Sequence, residues 1–446
     1  MHPIKSTETN KSMKLETTSV APLLPKIIQA SDEGASISSA VFNISTCMIG
    51  AGIMSIPATL KVLGIIPGFL LIVLMALLVD VTVEFLLRYT RSGNSNSYAG
   101  VMAESFGKTG SFALQFCIIL SNLGGLIIYL IIIGDVLTGS QSSETIHLGI
   151  LQEWFGIHWW NSRPFALLFM VLFVLLPLLL QPRIESLGHA SAVSILLALV
   201  FVAISFSMAI YAIWAGQTMK LRLFPDISST DSFLKLFTTI PVLATGLVCH
   251  IIIHPVKAEL SKTSDMTSAV RMSLLLTVSI YFAVGFIGYL LFGDTIMSDM
   301  LVNFDKNSDS PLGLLVNDVV RISYSIHLLL VFPVINFSLR ANVDELLFPK
   351  KISLESDTPR FVCLTCAILA IAYLAAIVVP DIWYFFQFVG STTIACLAFV
   401  FPGAIVLRDA HGISTRKDRI MAVVVIVLAI ITSSVAIFNN LYSSVQ

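Results

Sequence analysis

Apolar residues arrive in long, regularly spaced runs separated by short polar stretches, and each run approaches the ~20 residues needed to cross a ~30 Å hydrocarbon core. The pattern predicts helical spans at about 37–63, 66–89, 111–139, 164–181 and 189–216. A second group follows at about 233–254, 271–292, 313–339, 361–379, 382–407 and 419–441. Lipid offers no partner to an exposed N–H or C=O, so an element of this kind is expected to be an unbroken helix. The first run departs from that rule. It contains Asn43-Ile44-Ser45-Thr46-Cys47-Met48-Ile49-Gly50-Ala51-Gly52-Ile53-Met54-Ser55-Ile56-Pro57, with two glycines at mid-span and a proline beyond them. Each glycine costs a helix interior roughly 1 kcal/mol relative to alanine. The pair marks either a helix broken at the midplane, whose freed backbone groups hold a ligand, or a close helix–helix contact through small residues.

The sixth run repeats the feature. Pro241-Val242-Leu243-Ala244-Thr245-Gly246-Leu247-Val248-Cys249-His250 places a proline and a glycine inside an apolar stretch, and proline removes a backbone donor and kinks a helix. Two interruptions five spans apart are what a midplane site between crossed half-helices requires. The expected fold is an all-α polytopic membrane protein of about eleven helices. A LeuT-like inverted repeat of five plus five (about 37–216 and 233–407) is followed by one extra helix at about 419–441. Residues 1–36, rich in Ser, Thr, Glu and Lys, are expected to be a disordered tail.

Composition agrees: of 446 residues 56% are hydrophobic and 12% charged, with a mean hydropathy of +0.89, against about 25% charged in soluble domains. The net charge of −1 gives no sign of a nucleic-acid partner, but the placement of charge is informative. Lys and Arg crowd the loops on the side of the tail (Arg88, Arg91, Lys257, Lys262, Arg340, Arg408 and Arg416 among them) and are sparse opposite. By the positive-inside rule the amino terminus is expected in the cytoplasm. All six cysteines fall in apolar runs, which argues against disulfides in aqueous loops. No zinc-protease, aspartyl-protease or nucleophile-elbow pattern is present, so an enzyme is not expected, and no cofactor or metal site is indicated.

Several motifs in order carry a family resemblance across 37–441. They are Phe42-Asn43-x-Ser45 leading to Gly50-Ala51-Gly52-Ile53, and Ser97-Tyr98 leading to Phe106-Gly107-Lys108-x-Gly110. Cys249-His250 running to Pro255 and Glu259-Leu260, Arg321 twelve before Pro333, and Phe401-Pro402-Gly403 complete the set. The chain resembles the amino acid/auxin permease family, which includes vacuolar amino acid transporters of plants and fungi and sodium-coupled neutral amino acid transporters of animals. The short polar tail with Pro22-Leu23-Leu24-Pro25 is most similar to the plant vacuolar-type branch. The resemblance implies a carrier that moves amino acids by alternating access across a vacuolar or other endomembrane. A plasma-membrane sodium symporter and an amino acid sensor are the alternatives.

For a zwitterionic substrate, free N–H groups near Gly50, Ala51 and Gly52 suit the carboxylate. Carbonyls near Ala244, Thr245 and Gly246, or the Thr46 hydroxyl, suit the ammonium. Thr46 and Thr245 could equally bond their own helix carbonyls. Asn122 of the third span can both donate and accept. In sodium-coupled relatives, carbonyls corresponding to Thr46 and Ile49 and hydroxyls of the eighth span hold sodium; the positions of those hydroxyls are Leu329 and Val331 here. That departure favours a proton, which needs one titratable group, over sodium, which needs several oxygens. The intramembrane candidates are Asp135, His250, Arg321 and His327, with Asp135 expected to pair with Arg321 at similar depth. Asp80, Glu84 and Arg88 are expected to form an ion-pair ladder along one helix. The partners implied are an amino acid, a coupling proton or sodium, and the bilayer, with the chain expected to be monomeric.

Overall fold

A computed structural model describes residues 36–141, 146–180, 188–305, 311–348, 354, 357–379 and 381–445. The expected tail and its Pro22-Leu23-Leu24-Pro25 patch lie outside them. In chain order the helices are α1 (Ile37–Met48), α2 (Ile56–Leu63), α3 (Ile65–Ser92), α4 (Tyr98–Thr138), α5 (Ile150–Phe155) and α6 (Arg163–Leu179). Next come α7 (Gly188–Trp214), α8 (Thr230–Leu247), α9 (His250–Glu259) and α10 (Met266–Phe292). The last four are α11 (Pro311–Leu347), α12 (Thr358–Val378), α13 (Ile382–Arg408) and α14 (Arg416–Val445). A two-residue antiparallel pairing, Ser140–Gln141 with Ile146–His147, is the strand structure among the described residues.

Among those residues nine helices are long and apolar enough to cross a membrane, and α1 with Ala51–Leu63 makes a tenth span broken by a 51° bend. Where a span at 164–181 is expected stands α6, whose 17 residues reach about 26 Å at 1.5 Å per residue. Ten crossings and one shorter apolar helix thus stand where eleven spans are expected, and the count of eleven is not confirmed. The third element begins earlier than its apolar run: α4 starts at Tyr98, capped by the Ser97 side chain, and turns at Gly107. There φ is +66°, a conformation open to glycine and costly for other residues. The polar start of α4 hides it from a hydropathy reading.

Burial divides the first span in two. Every residue from Ala51 to Leu60 is buried, whereas α1 keeps an accessible face. Asn43, Thr46 and Gly50 are partly accessible and Cys47 is exposed. Their spacing of three and four places them in one stripe that runs up α1 to the break. The bundle is closed around the outer half of this span, on the face opposite the amino-terminal tail, and open along a polar stripe on the tail side.

The tail-side face is cross-braced. Arg88 forms two hydrogen bonds with Asp418 (2.8 and 2.9 Å), Asp80 pairs with Arg271 (3.3 Å), and Glu84 pairs with Arg91 (3.3 Å) and accepts from Thr267 (3.2 Å). The ladder expected within α3 does not form; these side chains reach to α14, α10 and the end of α3 instead. Partners on neighbouring helices hold the elements together, which an intrahelical ladder cannot do.

Candidate functional site

The break in the first span falls where the glycines place it. Ile49 has φ −83° and ψ 65°, the geometry of an inverse γ-turn, and Gly50 N–H donates to the Met48 carbonyl at 2.9 Å. A tight helical turn, Ala51–Ser55, restarts the chain. The N–H groups of Ala51 and Gly52 open that turn and have no partner within it.

The sixth span is interrupted later than its proline and glycine suggest. Pro241 lies inside α8, which continues through Gly246 to Leu247. The chain leaves helical geometry at Val248 (ψ 122°) and Cys249 (φ −127°, ψ 0°), and His250 begins the next half-helix. Ala244, Thr245, Gly246 and Leu247 form the last turn of α8, whose carbonyls lack intrahelical partners. The expected acceptors are present, supplied by the helix end and not by a kink at the proline.

The two breaks touch. A Cβ built on Gly52 would stand 3.0 Å from the Gly246 Cα and 3.2 Å from the Tyr281 hydroxyl; one on Gly50 would stand 3.2 Å from the Tyr129 hydroxyl. Tyr281, fully buried in α10, places its hydroxyl 2.5 Å from the Met48 carbonyl and 2.8 Å from the Gly246 carbonyl. Tyr324 of α11 donates to the Gly50 carbonyl at 2.9 Å. Three tyrosines from three helices thus ring the break, and two of them satisfy carbonyls that the unwinding frees. Tyr281 and Tyr324 carry no signal in the sequence, because an aromatic residue in an apolar run gives no sign of which way it faces.

The remaining candidates are dispersed. Thr46 is part of the accessible stripe. The Thr245 hydroxyl donates to the Pro241 carbonyl of its own helix (2.9 Å) and approaches the Phe386 carbonyl (3.4 Å). Asn122 donates to Ser338 Oγ at 3.2 Å, about 10 Å along α4 from Tyr129 at helical rise. His250, buried at the head of α9, shares a hydrogen bond with Thr82 (2.9 Å), and one turn on His254 does the same with Thr90 (2.8 Å). His327 Nδ1 donates to the Ser194 carbonyl at 2.8 Å, which fixes its tautomer in a contact between α11 and α7. Asp135 and Arg321 are not partners. Asp135 pairs with Arg163 at 2.5 Å, and the buried Arg321 pairs with Glu153 of α5 and with Asp318 (2.7 Å). Similar depth in the bilayer did not imply adjacency, since depth leaves the angle around the helix axis undetermined. Among the described residues no group of three or more His, Cys, Asp or Glu could hold a metal.

Two interrupted helices that meet inside a helical bundle define the LeuT-like class of membrane transporter. Residues 33–443 match the family described as transmembrane amino acid transporter protein, and the chain belongs to that family. It is 55% identical to the amino acid transporter AVT6C of Arabidopsis thaliana over 94% of this chain and 97% of that one. Vacuolar amino acid transporter 2 of Saccharomyces cerevisiae is 24% identical over 85% of this chain and 78% of its own length. The sodium-coupled neutral amino acid symporter 2 of Danio rerio is 27% identical, over 84% and 75%. The same fold is seen in the crystal structure of MhsT in complex with L-phenylalanine. There the TM-score is 0.54 at 14% identity, covering 92% of this chain and all of that one.

Proposed function

We propose that the chain moves amino acids by alternating access, is proton-linked or sodium-independent, and works as a monomer on a vacuolar or other endomembrane with its amino terminus in the cytoplasm. The observation that carries this reading is the contact of the two breaks at Gly52 and Gly246, bridged by Tyr281. Substrate carboxylate is held beside Gly50 at the N–H groups of Ala51 and Gly52, where the helix start is positive. Substrate ammonium is held at the last carbonyls of α8, at Ala244, Thr245 and Gly246. Burial of the outer half of the first span and the polar stripe along α1 support a conformation open toward the tail side.

Sodium independence is supported by side-chain chemistry. Leu329 and Val331 offer no oxygen on α11, and a hard cation needs several. The names of the Arabidopsis and yeast relatives favour amino acids as cargo, and that of the yeast relative the vacuole as the membrane; the name of the zebrafish relative is the basis of the sodium-coupled alternative. Uptake of labelled amino acids into vesicles containing the purified chain, with pH and sodium gradients imposed separately, tests the assignment.

A further inference from the structure

The loop between α10 and α11 folds back over the outer half of the first span. Ser55 Oγ donates to the Ser298 carbonyl at 2.7 Å and Lys61 Nζ to the Ile296 carbonyl at 3.2 Å. Asn303 braces the loop from within, accepting from Met297 N–H (2.8 Å) and donating to the Thr295 carbonyl (3.0 Å). Its short turn, Met300–Phe304, packs on Ala51–Ser55, α4 and α11. At its far end Asp305 pairs with His147 at 2.9 Å. The loop is a lid on the buried half of the substrate-binding span.

Asp299 opens that turn and is 2% exposed. Its Oδ1 accepts from Leu301 N–H at 3.0 Å, while its Oδ2 is buried with no hydrogen-bond partner. Each element packed against it brings a charge or none. From α4 comes Asp135, from the head of α6 Arg163, and from α11 the phenol of Tyr324, while Ala51–Ser55 has no titratable group. Arg163 is already spent on Asp135, and Asp381, before α13, adds a further carboxylate facing Asp135. Ionised Asp299 would therefore be a buried charge without a counter-ion. Such a group takes up a proton instead.

We propose that Asp299 is a proton-binding site in the outer gate, and that the lid closes over the first span only when this carboxyl is protonated. The assignment rests on the transporter reading above and supplies its coupling proton with a site. Burial, with the Asp135 charge adding to it, pushes the closed-lid Asp299 carboxyl well above the ordinary carboxylate range. With the lid lifted it meets water and titrates near the ordinary value of about 3.9. Closure is thus most favoured below that ordinary value. It weakens by about tenfold per pH unit as pH rises toward the closed-lid value. Acid on the outer face loads the carboxyl, and the loaded lid can shut and let the bundle open toward the tail.

The test uses the full chain carrying Leu301→Cys, a buried position in the lid's own turn, in nanodiscs with a membrane-impermeant thiol reagent. Its modification rate is divided at each pH by the rate in an added Asp299→Asn background, which removes the thiol's own titration. The ratio should climb as pH rises above the ordinary carboxylate value of about 3.9, and Asp299→Glu should restore the climb; a flat ratio overturns the proposal. Amide hydrogen exchange of Leu301–Phe304 in the unsubstituted chain, corrected for intrinsic pH dependence, must rise likewise, and flat exchange overturns it even if Asp299→Asn does not insert. In vesicles, acid-stimulated uptake should be lost in Asp299→Asn, and its retention contradicts the assignment. If the unsubstituted chain took up no amino acid, the substrate reading would fail, and the thiol ratio would still decide on Asp299.

Discussion

Gly52 and Gly246, one from each interrupted span, stand so close that a single added methyl on Gly52 would lie 3.0 Å from the other's Cα. That approach joins the two breaks into one site. Val at Gly52 or Gly50 should abolish transport while the chain still inserts and remains monodisperse in detergent. Ala at Gly52 should reduce uptake at least tenfold. Uptake and size-exclusion profiles measured together check this, and normal uptake by an inserted Val variant contradicts it.

Tyr281 serves both breaks with one hydroxyl. Tyr281→Phe removes the one hydroxyl hydrogen that these two buried carbonyls share, and an unsatisfied buried group costs about 1–3 kcal/mol. The expected result is a fall in maximal uptake of about tenfold or more. Tyr324→Phe, which frees one carbonyl, should do less. Equal uptake by Tyr281→Phe and the unsubstituted chain would remove the tyrosine from the site.

Arg321 is 2% exposed and bound to two carboxylates. Removing one side of a buried pair costs about 3–5 kcal/mol. Arg321→Met should therefore lower the thermal stability of the purified chain markedly, and Glu153→Gln by less because Asp318 remains. Asp135→Asn should leave the Arg321 network undisturbed. A Glu153→Gln change with no effect on melting would show that α5 is not held through this pair.

Asp409 tests the tail-side brace. It sits in the left-handed region (φ 49°). Partial burial works to raise its pKa, but hydrogen bonds from the Tyr89 hydroxyl, the Ser414 and Ile413 amides and Arg419 hold its carboxyl well below the ordinary range. A depressed carboxylate contributes stability that is present above the ordinary value of about 3.9 and is lost as pH falls toward the depressed one. Asp409→Asn keeps a residue type that tolerates this backbone. It should melt lower at pH 7 and lose less on acidification between pH 4 and 3 than the unsubstituted chain. Parallel melting curves across that window decide it.

Much of the fold was legible because a bilayer forces the sequence into long apolar runs, and Gly50 with Gly52 marked the first break at the residues where it occurs. The second was displaced because Pro241, conspicuous in the sequence, is absorbed inside α8, where a membrane helix tolerates proline, while Val248 and Cys249 carry no breaking signature. Pairings were the least legible. Arg163 claims Asp135, and Glu153 claims Arg321, through helix rotations and the short helix α5, which hydropathy does not encode. Asp299 carries no mark in the sequence, since hydropathy does not show that its loop lies buried on Ala51–Ser55.

The sodium inference predicts unchanged uptake when choline replaces sodium, because Leu329 and Val331 put no oxygen where sodium-coupled relatives carry hydroxyls; steep sodium dependence would overturn it.

Time-resolved accumulation of a labelled amino acid by vesicles containing only this chain, against a concentration gradient and with an imposed pH gradient, addresses the central claim most directly. Saturable accumulation that Gly52→Val eliminates is the predicted result. Binding without accumulation, or flux that never saturates, would contradict a carrier built on these two broken helices.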